Sequence, residues 1–244
     1  MGRVSTSQTH AQRALVALRQ RILSGALPGG TRLYEVPLAE ELRVSRTPVR
    51  AALSQLAEEA LLDRARGGGF VVRSFAIADV VDTIDLRGVL EGTAARYAAE
   101  RGASEAQLAR ARDLLCAIDR LFPGQGGVDM EAYAARNREF HALLAEMSGS
   151  AILQRELARI TALPFASPSA FLEDQTHLEA LQRSLAVAQD QHRAIVEAIA
   201  HRESGRAEAL AREHARAARR NVEYLLSQEA ALREGVPSLA LLSG

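Results

Sequence analysis

The sequence predicts a mostly α-helical fold in two parts, a small basic head and a larger acidic helical body. Three observations carry that expectation. Helix formers dominate a composition in which aromatic residues reach only 4%, and strand-like alternation of apolar and polar residues is rare. Apolar residues recur instead at helical spacing along most of the chain. The zero net charge hides an asymmetry: residues 1–73 hold 11 arginines against six carboxylates, 11 − 6 = +5, so the remaining 244 − 73 = 171 residues carry −5. A basic module joined to an acidic one points to a polyanion-facing head and a body with another task.

At 244 residues, with 48% hydrophobic and 25% charged residues, the chain is long enough for two modest domains with sizeable cores. No apolar run approaches the roughly 18–20 residues that span a bilayer, and Met1–Leu15 lacks the apolar middle of a signal peptide. The expected location is the cytoplasm, with no membrane partner. The single cysteine, Cys116, cannot form an intramolecular disulfide and is expected to fill a core position on its helix.

In the head, the first helical pattern, residues 10–25, puts Ala14, Leu15, Leu18, Ile22 and Leu23 on one face and ends near Gly25. The stretch "ALPGGTRL" turns the chain, and a second short helix fits residues 36–44. A third begins after Ser45, whose hydroxyl is expected to cap it. Pro48 falls in its first turn, where the missing N–H costs little. The segments "LLDRA" and "GFVVR" read as strands of a glycine-rich hairpin. Three helices with a tight turn between the last two, followed by a hairpin, make a winged helix-turn-helix over residues 1–73. Such a motif directs the first turn of its third helix at base edges and phosphates, with apolar residues behind it. Val44, Val49, Ala52, Leu53 and Leu56 supply that support. The candidate DNA contacts are Arg43, Ser45, Arg46, Thr47 and Arg50, because arginine addresses guanine edges and hydroxyls hold phosphates. At the hairpin, Arg64 and Arg66 supply charge and Gly68 permits close approach to the DNA backbone. A solvated, arginine-rich helix pair with an ordinary hairpin is the plainer alternative.

After a linker at 74–77, helical patterns run from 78 to 229 as an all-α bundle, interrupted by "FPGQGGVD" and "LPFASPS"; residues 230–244 read as a loosely held tail. Three of the six histidines, His141, His192 and His214, lie in three separate helical patterns at the edge of an apolar face. Asn137 and His141 stand four apart on one face, as two ligands to one ion must. A histidine in that setting is more often simply hydrogen-bonded. Arg87 and Glu91, also four apart, read in the plainest case as a helix ion pair. His177 and His201 are expected at the surface and His10 in a mobile start.

The stretches "GALPGGTRL", "LAEELRVSRTPVRAALSQLAEEALL" and "GGGFVV" together resemble the DNA-binding domain of the GntR family of bacterial transcription regulators, over about residues 10–73. The helical body, over about 78–228, resembles the FCD ligand-binding domain of the FadR subfamily. The resemblance implies that His141, His192 and His214 hold a divalent metal, zinc, nickel or similar, with Asn137 where the family carries aspartate. It implies that Arg87, with Glu91 beside it, meets a small organic acid effector. It further implies a homodimer, a repressor rather than an enzyme, on a double-stranded operator with an inverted repeat. The chain departs from the family at Gly29, which stands at a proline position and predicts a looser loop, and at Arg43 and Ala60, which stand at glycine positions. Two other functions fit parts of the sequence: a metal-dependent enzyme using the three histidines, disfavoured because no glutamate sits in a HExxH-like arrangement, and an architectural DNA-binding protein without a ligand.

Overall fold

The structure, a computed structural model, describes residues 6–122, 128–163, 166, 179–227 and 242–243. Those up to Asp79 form one compact unit together with Ala162, Leu163, Leu242 and Ser243; the second unit comprises Val80–Thr161 and the described residues from Ala166 to Ser227.

In the first unit, α1 (Thr6–Leu23) buries Ala14, Leu15, Leu18 and Ile22. Leu23 lies at the margin of that face, half-buried, and His10 sits inside α1 rather than in a mobile start. After it come β1 (Arg32–Leu33), α2 (Glu35–Leu42), α3 (Arg46–Glu58), β2 (Leu62–Arg64) and β3 (Phe70–Val72). The strands form an antiparallel sheet in the order β1-β3-β2, with Leu33 opposite Phe70 and Asp63 opposite Val71. Two residues are too few to show alternation, which is why β1 left no trace in the sequence pattern. Leu38 of α2, Val49, Leu53 and Leu56 of α3, and Leu62, Phe70 and Val72 of the hairpin complete the core begun by α1. Each such side chain contributes roughly 1.5–3 kcal/mol by leaving water.

Helices α2 and α3 end in the same way. Val44 N–H donates to Ala39 O and Arg43 N–H to Glu40 O; Leu61 N–H donates to Leu56 O and Ala60 N–H to Ala57 O. This double bond closes a helix only when the residue after the last turn is left-handed, and Arg43 (φ 53°) and Ala60 (φ 57°) adopt that conformation without being glycine. Gly29, expected to loosen its loop, is instead packed: a Cβ there would lie 2.8 Å from Ser74 Oγ, and Gly30 N–H donates to Val72 O. The segment read as linker and the end of the segment read as a loose tail meet, since β4 (Phe75–Ala76) pairs in parallel with β5 (Leu242–Ser243). The remainder of that tail, 230–241 and 244, lies outside the described residues, as do His177 and most of the two loop stretches.

The second unit contains α4 (Ile77–Arg101, from Val80 onward), α5 (Glu105–Asp119), α6 (Met130–Met147), α7 (Ala151–Thr161), α8 (Glu179–Ala200) and α9 (Ser204–Ser227). Its main core joins Ala95, Ala98 and Ala99 of α4, Leu108 and Leu115 of α5, Phe140, Leu143 and Leu144 of α6, Ile195 and Ile199 of α8, and Ala207 and Ala211 of α9. Small side chains bring α4 close to α9: a Cβ on Gly88 would lie 2.7 Å from Ala215 Cβ, and one on Gly92 2.6 Å from Arg212 Cγ. A capping box of Ser104 and Gln107 starts α5, and the Asp129 side chain starts α6. Cys116, expected in the core, is exposed. The buried stripe of α5 runs Leu108, Ala111, Leu115, Ile118, and Cys116 is turned about 100° away from Leu115 on the helix.

Candidate functional sites

The first candidate site is the start of α3. Arg43, Ser45, Arg46, Thr47 and Arg50 are all exposed, while Pro48, Val49, Ala52 and Leu53 behind them are buried. Ser45 is the N-cap residue, yet its side chain makes no capping hydrogen bond, contrary to expectation. The residue three positions on, whose N–H a capping hydroxyl usually takes, is Pro48, which has none. The hydroxyl is thereby left on the exposed face. A residue that sequence reasoning missed organises this face: Glu35, at the start of α2, accepts from Arg50 Nε at 2.7 Å and from Arg46 at 3.4 Å. The Arg50 hydrogen bond, ahead of any other influence, holds the Glu35 carboxyl below its ordinary range. At the hairpin tip, Arg64, Arg66 and Gly68 are exposed, and Gly67 and Gly68 have φ of 96° and 99°. Gly69 has no substitute, because at φ 77° any Cβ would lie 2.8 Å from Leu33 O.

The second candidate site lies inside the helical unit. The structure brings together His141 of α6, His192 of α8 and His214 of α9, all buried, with their ligand nitrogens within 4.8 Å of one another. Asn137 is also buried, one turn before His141 on the same helix. The ring protons decide what the trio can do. Gln189 Nε2 donates to Leu115 O and Asp119 Oδ1, so its Oε1 is an acceptor, and it faces His192 Nδ1 at 3.2 Å. Gln191 Oε1 faces His214 Nδ1 at 3.1 Å. Glu91 Oε1 lies 2.9 Å from His141 Nδ1, near enough for charge attraction though off the line of a hydrogen bond. Gln189 and Gln191 thereby assign the proton of the neutral His192 and His214 rings to Nδ1.

The Nε2 atoms of His192 and His214 are then left as lone pairs that face each other at 3.1 Å, and His141 Nε2 lies 3.4 Å from that of His214. Such an arrangement is repulsive unless a cation sits among them. Two nitrogens bound to one tetrahedral zinc at about 2.0–2.1 Å stand about 3.3 Å apart, so the donor set fits a divalent metal. Burial, followed by the neighbouring histidines, pushes His192 well below its ordinary value, and burial with His141 pushes His214 down to about 3. Both rings are neutral at pH 7, as metal ligands must be. For Glu91, burial alone would raise the carboxyl, but His141 and Arg87 outweigh it and hold it at about 2.

Arg87 and Glu91 form the helix ion pair of the plainest reading, but in the interior of the bundle rather than at its surface. Both are buried; Arg87 donates to Ala166 O at 2.7 Å, while its Nε lies 3.8 Å from Glu91 Oε1 without a hydrogen-bond partner. Beside the histidines is a cavity of about 370 Å³ lined by Glu91, His141, Arg138, Gln154, Leu157 and Thr161, among others. Arg87 is not among the lining residues described, whereas Arg138 is. Gln189 stands one helical turn before His192, a spacing that could have signalled their bond. Gln191 serves a histidine on another helix, and no sequence pattern announces that.

An exposed arginine face on a winged helix, joined in one chain to a helical unit with a buried donor set and an adjoining cavity, defines a DNA-binding regulator with a sensory domain. The model of bacterial regulatory proteins of the gntR family matches residues 10–72, and that of the FCD domain matches residues 82–217. The chain belongs to the GntR family of transcription regulators and carries an FCD domain. The Nta operon transcriptional regulator of Aminobacter aminovorans is 33% identical over 54% of this chain and 60% of its own length. The probable D-xylose utilization operon transcriptional repressor of Paenarthrobacter nicotinovorans is 29% identical over 80% of each chain. Among solved structures, E. coli McbR/YncC shares the fold, with a TM-score of 0.63 at 22% identity over 90% of this chain and 98% of that one. Among the described residues, no helix is long and apolar enough to cross a membrane.

Proposed function

We propose that this regulator is a repressor that binds its operator as a homodimer and responds to a small organic acid received beside a divalent metal in the FCD domain. The observation that carries the sensory half is the convergence of the three buried histidine ligand nitrogens next to the cavity. His141, His192 and His214 would hold the metal, with the Asn137 amide oxygen as a neutral fourth donor. When bound, such an ion supplies a positive centre with positions open to an effector carboxylate. Glu91 keeps the His141 proton on Nδ1 and contributes the negative charge that Asn137 does not. Arg138, exposed at the cavity, attracts the anion, and the buried Arg87 holds Glu91 in place.

In the head, Arg46 and Arg50 meet base edges, Ser45, Thr47 and Arg43 meet phosphates, and the Arg64–Arg66–Gly68 wing meets the neighbouring backbone. Two heads in a dimer call for an inverted repeat. An effector alters operator affinity only by binding the DNA-competent and incompetent arrangements unequally, and operator then alters effector affinity by the same factor. This work is regulation without turnover.

The test is elemental analysis of protein purified without a histidine tag or chelator, beside a His141→Ala, His192→Ala double variant. One metal per chain in the parent and little in the variant is expected. No metal in the parent would overturn the metal reading and leave the cavity with Arg138 as an anion site alone. A thermal-shift panel of short mono- and dicarboxylates on the loaded parent then checks the effector class.

A further inference from the structure

We infer that Glu35 is a positioning residue for sequence recognition: its carboxylate holds Arg46 and Arg50 at the angle from which they read bases. The inference rests on the reading that these two arginines meet DNA. Glu35 opens α2, Arg46 opens α3, and Arg50 follows one turn later on the same face. One carboxylate serves both, Oε1 accepting from Arg50 Nε at 2.7 Å and Oε2 from Arg46 at 3.4 Å. The Arg46 and Arg50 side chains are 65% and 69% exposed and that of Glu35 only 16%, so a fixed anion anchors two otherwise free cations.

Stability does not explain the arrangement, because ion pairs this exposed contribute little. Non-specific affinity does not explain it either, since a carboxylate on a phosphate-facing surface opposes binding. Orientation does. Arg50 is held through Nε on a side chain that is 69% exposed, so this bond leaves its terminal N–H groups, which can bridge guanine O6 and N7, unused. Freezing a guanidinium beforehand removes rotamer freedom that a base contact would otherwise have to remove. The anion therefore opposes non-specific binding and raises the advantage of the correct sequence.

The experiment uses the full chain and a duplex selected by it from random DNA, with dissociation constants measured for that duplex and for a random-sequence duplex. Glu35→Gln is expected to tighten binding to random DNA and to reduce the selected-to-random ratio about tenfold. In an Arg46→Ala, Arg50→Ala background the same change should leave the ratio where it was. Glu35→Asp, which keeps the charge but is one methylene too short to reach both arginines, should also lower the ratio. An equal change in both affinities would overturn the inference, making Glu35 a plain electrostatic mask. So would an undiminished ratio in Glu35→Asp. If Arg50→Ala leaves selected-duplex affinity unchanged, the recognition-helix reading itself fails, and that outcome is separately visible.

Discussion

The two candidate sites are built from the same ingredients under opposite solvent conditions. At the head, Arg46 and Arg50 are tied to Glu35 at the surface; in the FCD domain, Arg87 and His141 are tied to Glu91 with almost no exposure. Water screens the first carboxylate, so its worth lies in geometry. Nothing screens the second, and removing it would strand a guanidinium and an imidazole in an apolar bundle. A surface constellation can be altered with little effect on folding, whereas an interior one is part of the fold.

The sharpest way to break this comparison is to truncate both carboxylates. Glu91→Ala should cost about 3–5 kcal/mol in urea unfolding, because it leaves buried charge without its partner. Glu35→Ala should stay within about 0.5 kcal/mol of the parent. Similar losses at the two sites would refute the distinction. One step smaller is Asn137→Asp, which restores a charged oxygen beside His141. Zinc affinity, read by competition with a chromophoric chelator, should rise about 10–100-fold. An unchanged affinity would remove Asn137 from the ligand set.

Arg46→Ala and Arg50→Ala should each weaken operator binding by about 1–3 kcal/mol in a gel or anisotropy titration while the helical circular dichroism stays intact. A loss of helical signal would place these residues in the fold instead.

What the sequence made legible follows the same division. The head was readable because its functional residues lie close together in the chain: Arg43 to Arg50 span two turns, and the hairpin glycines are consecutive. The helical patterns and the three histidines of the body were readable by spacing. Of their partners only Gln189, one turn before His192, had a local signal; Glu91 and Gln191 reach His141 and His214 from other helices only after the bundle has packed, a process set by Gly88, Gly92 and the alanine stripe. Cys116 was misjudged because α5 is apolar at both Leu114 and Leu115, and which face turns inward is decided by its neighbours. The β4–β5 pair joins residues more than 160 positions apart, beyond the reach of any local signal.

The smallest effect expected here separates structural strain from functional strain. Arg43 and Ala60 both end a helix in the left-handed region, where a side chain costs about 1–2 kcal/mol and glycine nothing. Glycine returns part of that through the greater freedom of the unfolded chain, so Arg43→Gly and Ala60→Gly should each stabilise the head by about 0.5–1 kcal/mol in thermal unfolding. Their effects on DNA should differ. Ala60 follows the third helix at the end far from Arg46 and its change should leave binding alone, whereas Arg43 sits in the turn that precedes that helix. Loss of its charge should weaken binding to all sequences and lower the slope of log affinity against log salt by about one. If the slope holds, the strain at Arg43 has no counterpart in binding, and the turn of this winged helix is less well built than it could be without any gain in recognition.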